Sequence, residues 1–223
     1  MPGNALKNKT PVSGSEPTCT KKPYGTKRGT ISANCYQYAI QYASMKPYRK
    51  LQPGNLSGNE GVNFNLSSCH PAKKRVIQDI VNKKRGYEST LDTPCSKGFA
   101  KIALLLSKDN DFHFLRQNGD IMYIIEANET RESIAKKFKV PLENVRGKAL
   151  KQGQKVRIVD ANVWSHKRGT AFPPSLYDAA GKVIFDPRKS NFNYGDLNYS
   201  KVCSAFCVKQ KPCHRKKISS RTV

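Results

Sequence analysis

Three residues have the types and the placement that thiol chemistry needs: Cys35, His113 and His166. Cys35 follows Asn34 at the start of a helical pattern, and the dipole of a helix lowers the pKa of a thiol at its N-terminus. A thiol and imidazole rings are the groups that nucleophilic catalysis by a cysteine uses. The same residues also fit a buried or disulfide-linked cysteine and two hydrogen-bonded core histidines.

The elements that must position these residues follow from the hydrophobic period of the sequence. Helices are predicted over 34–43 and 71–84, where apolar residues recur on one face. Strands are predicted at 101–107, 111–117, 162–167, 183–185 and 201–208. The first two strands form a predicted hairpin, and alternation along the second places Phe112 and Phe114 on one face and His113 on the other.

Residues 121–160 form a predicted insertion with a periodic pattern of its own. Its parts are a strand (123–125), a turn (128–130), a helix (133–138), a short second helix (141–145) and a closing strand (153–158). Thr130 can cap the first helix, and Ile134 and Phe138 are spaced for one buried face. Residues 123–158 resemble the LysM module, a βααβ unit known for holding N-acetylglucosamine polymers.

The LysM resemblance implies a glycan-binding site in the loops of the insert. The family's Gly-Asp-Thr turn corresponds to 128–130, where Asn tolerates the left-handed conformation that Gly would take. Arg131 replaces the Leu that usually follows, and 146–147 replaces the usual Asn after the second helix. The candidate glycan-binding residues are Asn128, Glu129, Thr130, Arg146 and Gly147. Reuse of the LysM fold for packing alone is the alternative.

Removing residues 121–160 brings the strands that carry His113 and His166 together as a hairpin. This arrangement resembles the NlpC-type branch of papain-like cell-wall peptidases. In that family a Cys begins a helix, a His follows on a core strand, and a second polar residue lies on the next strand. The matching positions are Cys35, His113 and His166, although Asn-Cys-Tyr-Gln at 34–37 replaces the family's Asp-Cys-Ser-Gly. The resemblance implies that His113 forms a thiolate–imidazolium pair with Cys35 and that His166 holds the tautomer of the His113 ring.

The two resemblances together predict an α+β fold, in which a papain-like (NlpC-type) host domain carries a βααβ LysM-like insertion and extended basic arms. The predicted parts are an extended arm (1–30), a host domain in two pieces (31–120 and 161–208), the insertion (121–160) and a basic C-terminal arm (209–223). Because both arms hold few apolar residues, we expect neighbouring chains to order them.

Charge and hydropathy limit the partners. Forty Lys and Arg against sixteen Asp and Glu give a net charge of +24, which attracts acidic protein surfaces and allows non-specific nucleic-acid binding. The longest apolar stretch, 102–106, is far shorter than the roughly 20 residues of a membrane span, so no span is expected. The residues behind Met1 lack an apolar stretch, so no secretory signal is expected.

Seven cysteines are many for a cytosolic protein, and they indicate a protein that ends in an oxidising particle or an extracellular setting. Cys203, Cys207 and Cys213 have no familiar zinc spacing, so disulfides are expected there rather than a metal, and no cofactor is expected. Cys69 is expected to be structural, and the odd count leaves at least one cysteine unpaired.

Two functions fit these features, and the sequence favours the first. The first is a minor capsid or virion-associated protein, made in the host cytoplasm and carried in the virion, because the combination resembles proteins of large DNA viruses. Its partners would be other particle proteins with acidic surfaces. The alternative is a cysteine amidase or peptidase that cuts cell-wall peptides and uses the LysM-like unit as an anchor on N-acetylglucosamine polymers.

Overall fold

The computed structural model describes residues 9–19, 23–42, 50–59, 65–147 and 150–210. Within these ranges the fold is mixed α+β, with few helices and two antiparallel sheets. The helices are α1 (Lys27–Ser32), α2 (Cys35–Ala39), α3 (Cys69–Ile80) and α4 (Arg131–Phe138). The strands are β1 (Gly86–Ser89), β2 (Phe99–Ser107), β3 (Asp111–Asn118), β4 (Ile121–Ile124), β5 (Val145–Arg146), β6 (Lys155–Ile158), β7 (Val163–Lys167), β8 (Pro174–Ser175) and β9 (Lys201–Lys209).

The larger sheet has six strands in the order β1-β9-β2-β3-β7-β8, and every neighbouring pair is antiparallel. The last strand of the chain, β9, lies inside the sheet between β1 and β2. The expected hairpin of β2 and β3 is present, and its turn contains Asp109 in the left-handed conformation. The predicted strand at 183–185 is reduced to a single bridge between Tyr177 and Val183, because the larger sheet ends at β8.

The two faces of this sheet are covered differently. Phe112 and Phe114 share one face, as the alternation predicted, and helices α2 and α3 pack on that face. The other face presents Leu105 and Leu115, and Trp164 is buried there with the loop residue Phe192. Residues that alternate along β3 therefore meet a helix layer on one side and a loop layer on the other.

Both predicted helices exist, with shifted ends. Asn34 and Gln37 form a capping box at the start of α2, in which each side chain bonds the other's backbone N–H. The helix ends at Ala39 rather than near 43, because Gln41 adopts a left-handed backbone that cannot continue a helix. Helix α3 begins at Cys69 and ends at Ile80, and Lys84 beyond it is also left-handed.

The insertion is compact, and its two ends meet as expected. Its first strand β4 pairs with its last strand β6, with Ile121 opposite Ile158, and α4 packs on this pair. The predicted second helix is a single 3-10 turn (Leu142–Asn144) followed by β5. Strand pairing prevails there because Val145 is buried and pairs with Ile158.

The N-terminal segment differs from the expected partner-ordered arm. Residues 9–19 are extended but lie against the domain, where the Lys9 ammonium donates to the carbonyls of Phe138, Lys139 and Ala161. The backbone N–H of Cys19 donates to the Asp120 carbonyl at 2.8 Å, and α1 replaces the end of the expected arm. Hydrogen bonds to the chain's own domain therefore hold this segment. Of the C-terminal arm, residues 211–223 lie outside the described ranges.

Four of the cysteines form disulfides, Cys69–Cys203 and Cys95–Cys207, both anchored on β9. This confirms disulfides rather than zinc ligation for Cys203 and Cys207, while Cys213 lies outside the described residues. Cys19 and Cys35 are free thiols, and both are buried. None of the helices in the described ranges has the length and apolarity that a membrane crossing needs.

Candidate functional site

The three residues of the predicted catalytic trio lie on three elements that meet at one place. Cys35 is the first residue of α2, His113 lies on β3 and His166 lies on β7. Each of the three is buried. Cys35 packs with Phe112 and Phe114 on the helix-covered face of the sheet, whereas the His113 ring contacts Tyr199 on the opposite face, at 4.9 Å between centroids.

The two faces of the sheet meet at one edge of β3, because the neighbouring strand does not cover the whole of that edge. Strand β7 pairs with β3 only from Leu115 to Asn118, so β7 leaves the edge of β3 at 111–114 uncovered. A cavity of about 410 Å³ lies at this edge and is lined by both Cys35 and His113. No hydrogen bond joins the Cys35 thiol to the His113 ring in the part of the chain that the structure describes. The resting site therefore holds the two groups in one cavity without a direct bond.

The two histidines form a short hydrogen-bonded chain. His113 Nε2 lies 2.8 Å from His166 Nδ1, and His166 Nε2 lies 2.9 Å from the carbonyl oxygen of Tyr177. Burial lowers the pKa of His166 to about 4 and lowers the pKa of His113 well below its usual value; repulsion from His166 and Arg168 adds to the effect on His113. Both rings are therefore neutral at pH 7.

These bonds fix the tautomer of each ring. A carbonyl oxygen can only accept, so His166 Nε2 carries the proton and donates to Tyr177. His166 Nδ1 is then an acceptor, and His113 Nε2 must donate to it. In a neutral imidazole this leaves His113 Nδ1 with a free lone pair. His113 is thereby prepared as a proton acceptor.

The Cys35 thiol is protonated at rest. Burial raises its pKa to about 12, and the nearby negative charge of Asp111 adds to this, although the backbone N–H groups of Phe114, Tyr36 and Cys35 favour the thiolate. Helix α2 has only five residues, so those local N–H groups, rather than the long helix dipole that the sequence suggested, are what can stabilise a sulfur anion.

Three further residues of the cavity were not among the predicted site residues. The Tyr199 hydroxyl donates to Asp111 Oδ2 at 2.8 Å, and burial raises the pKa of Tyr199. Arg168 also lines the cavity. Strand alternation puts Asp111 on the same face as His113 and could have indicated it, but Tyr199 and Arg168 follow no periodic pattern.

The candidate glycan-binding residues lie in the loop before α4 (128–130) and at the end of β5 with the loop that follows it (146–147). Asn128 has the left-handed backbone that the turn required, and Thr130 caps α4. The Glu129 carboxylate accepts from the Tyr123 hydroxyl and pairs with Lys137. Arg131, the residue that replaces the usual Leu, donates to the carbonyls of Val145 and Gly147, next to the exposed Arg146. Arg131 thus ties the two candidate loops together.

Among the described residues, no group of three His, Cys, Asp or Glu side chains is placed to hold a metal ion. Comparison with protein-family models, with curated proteins and with solved structures finds no match to this chain. The function is therefore argued from the geometry of the site.

Proposed function

We propose that the protein is a cysteine-dependent amidase or peptidase, with Cys35 as the nucleophile, His113 as the proton acceptor and His166 as the residue that positions His113. The observation that carries this proposal is the chain from the Tyr177 carbonyl through His166 to His113, which ends in the cavity that Cys35 also lines. A buried histidine pair that leaves one lone pair free beside a free thiol is suited to general-base activation of that thiol.

The reaction follows from the resting protonation states. Because Cys35 and His113 are both neutral, the thiol proton moves to His113 Nδ1 as the sulfur attacks the carbonyl carbon of a bound amide and forms the C–S bond. The His113 imidazolium then donates this proton to the leaving nitrogen as the C–N bond breaks. Water, deprotonated by His113, hydrolyses the thioester and restores the Cys35 thiol. His166 accepts from His113 Nε2 throughout and stabilises the imidazolium.

The NlpC-type host and the LysM-like insert belong to the same proposal. A capped helix that begins with Cys35 packs on an antiparallel sheet, and two neighbouring strands of that sheet carry His113 and His166. The insert lies between these two strands in the chain. Its own end strands pair with each other, and its helix is capped. These features support a cell-wall peptide as the substrate and an N-acetylglucosamine polymer as the ligand of the insert.

The test is hydrolysis of purified cell-wall peptides by the full chain, measured as release of new amino groups. Cys35→Ser and His113→Ala should each abolish release while retaining the melting temperature within a few degrees. His70→Ala is the matched control, because His70 is exposed on α3, and it should retain full activity. Activity that survives Cys35→Ser would exclude the proposed nucleophile.

Labelling of the thiol provides a second test that does not need the substrate. A pKa of about 12 leaves almost no thiolate at pH 7, so iodoacetamide should modify Cys35 slowly at pH 7, and the rate should rise about tenfold per pH unit up to pH 10. Rapid labelling at pH 7 would show a preformed thiolate and contradict activation by proton transfer during attack.

A role as a virion-associated protein of a large DNA virus is the second candidate. The two disulfides favour it, because disulfides persist in oxidising particles and are rare in proteins that remain in the cytosol. The net charge of +24 suits binding to acidic surfaces of neighbouring proteins. Quantitative mass spectrometry of purified virions tests it: a fixed copy number per particle is expected, and absence from washed particles would exclude this role.

A further inference from the structure

A second cavity lies beside the one that holds Cys35 and His113. It measures about 370 Å³ and lies between β4 of the insert and the host segment 168–177. Arg168 and Phe172 line both cavities. Because the same two side chains line both cavities, the cavities are neighbours along one surface. They are separated only by the segment from Arg168 to Phe172.

The Arg168 guanidinium is held on aromatic rings at this boundary. Its central carbon lies 4.3 Å from the ring centroid of Phe172 and 5.0 Å from that of Tyr194. Ring stacking of this kind holds a guanidinium in place while its N–H edges stay available for an acceptor. Over the described ranges, Arg168 forms neither an ion pair nor a hydrogen bond with a protein group.

Two tyrosine hydroxyls on the walls of these cavities also have no hydrogen-bond partner among the described residues. Tyr194 lines the first cavity and Tyr177 lines the second. Both hydroxyl oxygens are buried, and neither has a hydrogen-bond partner in the described part of the chain. Buried hydroxyls in native proteins nearly always have a partner, so we expect a ligand in the cavities to supply the missing hydrogen bonds.

We propose that the two cavities form one substrate cleft, in which Arg168 binds a carboxylate of an acidic peptide beside the bond that Cys35 attacks. This inference rests on the proposed hydrolase function and names its substrate class. A planar guanidinium matches a carboxylate with two parallel hydrogen bonds, which a neutral amide cannot reproduce. The apolar wall of Phe172, Pro174 and Leu176 in the second cavity suits an apolar residue next to the acidic one.

The electrostatics of the site agree with this placement. Arg168 and His113 line the same cavity. Burial is the main cause of the lowered pKa of His113 and His166, and the charge of Arg168 lowers both further. A carboxylate on Arg168 would offset this charge and make His113 a better proton acceptor. Binding of an acidic peptide would thus favour the proton transfer that begins the reaction.

The experiment measures binding separately from cleavage. The full chain with Cys35→Ala is immobilised and offered two matched pools of N-acetylated pentapeptides, with either Glu or Gln at the centre, and the retained peptides are quantified by mass spectrometry. We expect the Glu pool to be retained about tenfold more, since a hydrogen bond to a charged group contributes at least that factor. Arg168→Gln should remove the preference. Arg85→Gln, which removes an exposed arginine beyond α3 and outside both cavities, should leave it unchanged.

Equal retention of the two pools, retention of neither, or a preference that survives Arg168→Gln would overturn the inference. An equal loss in the Arg85→Gln control would also overturn it, because the effect would then reflect net charge alone. The wild-type chain is assayed in parallel for hydrolysis. A Glu preference without hydrolysis by the wild-type chain would remove the catalytic proposal and keep the acidic-peptide site, whereas hydrolysis without the preference would do the reverse.

Discussion

His113 Nε2 lies 2.8 Å from His166 Nδ1, and the two rings are nearly perpendicular, with an interplanar angle of 85°. The carbonyl of Tyr177 fixes the direction of this bond, because it forces His166 to donate from its other nitrogen. The backbone carbonyl of Tyr177 thus determines that Nδ1 is the nitrogen of His113 that keeps a free lone pair. The chemistry proposed for Cys35 depends on this relay.

Replacement of His166 tests the relay. His166→Leu removes the acceptor for His113 Nε2, so His113 is no longer held in one tautomer, and we expect kcat to fall by about 100-fold or more with little change in KM. His166→Gln retains a side-chain oxygen that can accept from His113, and it should recover part of kcat. Steady-state kinetics measure both variants. Equal damage by Leu and Gln, or no damage by Leu, would contradict a positioning role.

The buried histidines also predict how stability depends on pH. The unfolded rings bind protons near pH 6.5, whereas in the folded chain the pKa of His166 is about 4 and that of His113 is well below its usual value. Their contribution is therefore fully present above pH 6.5. It is lost as the pH falls towards 4, because only the unfolded chain takes up these protons.

His166 alone should lower the free energy of unfolding by about 3 kcal/mol at pH 4 relative to pH 7. Denaturant titrations at pH 7.5, 6.5, 5.5 and 4.5 measure this change. The matched variant His166→Gln should show a smaller fall over the same range. A flat stability between pH 7.5 and 5.5 would show that the two rings are not buried as neutral groups.

The disulfides predict a large dependence of stability on redox state. Cys69–Cys203 and Cys95–Cys207 close loops across 134 and 112 residues, and loops of this length restrict the unfolded chain strongly. We expect the paired replacement of Cys69 and Cys203 by Ser to lower the free energy of unfolding by about 3–5 kcal/mol. Cys19→Ser, which removes a free thiol, is the control for loss of a cysteine. A paired variant that is as stable as the control would mean that this bridge does not form.

Local patterns in the sequence were sufficient to predict the parts of the fold that follow strand alternation or helix capping. The alternation along β3 correctly predicted that Phe112 and Phe114 share a face, and the capping pattern at Thr130 correctly predicted the start of α4. The histidine contact followed from one further step, the removal of residues 121–160, which made β3 and β7 neighbours. These features depend on residues that are close in sequence once the insertion is set aside.

Long-range pairing could not be obtained in this way. The position of β9 between β1 and β2 depends on contacts with strands about a hundred positions earlier, and no local period encodes such a choice. The pairing of Cys69 with Cys203 was one of many possible connectivities. Arg168 was missed because it lies in a loop, where function depends on the neighbours that the fold supplies.

The prediction for the N-terminal segment was also wrong. It considered only the low apolar content of the segment and not the hydrogen bonds that the segment forms with buried residues of the host sheet. The Thr10 hydroxyl accepts from the Trp164 indole N–H at 2.8 Å and from the Gln117 amide at 2.9 Å, and all three residues are buried. Composition indicated an arm that only partners could order. The structure instead uses Thr10 to satisfy two donors of the host sheet.

Thr10→Val tests this role of the N-terminal segment in the isolated chain. Valine keeps the shape of threonine but cannot accept, so the Trp164 indole N–H loses its acceptor and the Gln117 amide keeps only the carbonyls of Thr10 and Pro11. A buried donor without a partner destabilises a protein by about 1–3 kcal/mol, and we expect a loss of that size in denaturant titration. Thr93→Val, at an exposed position, is the matched control and should change stability by less than about 0.5 kcal/mol. Equal stability of the two variants would mean that the segment does not rest on the host sheet in solution, and that partners are needed to order it after all.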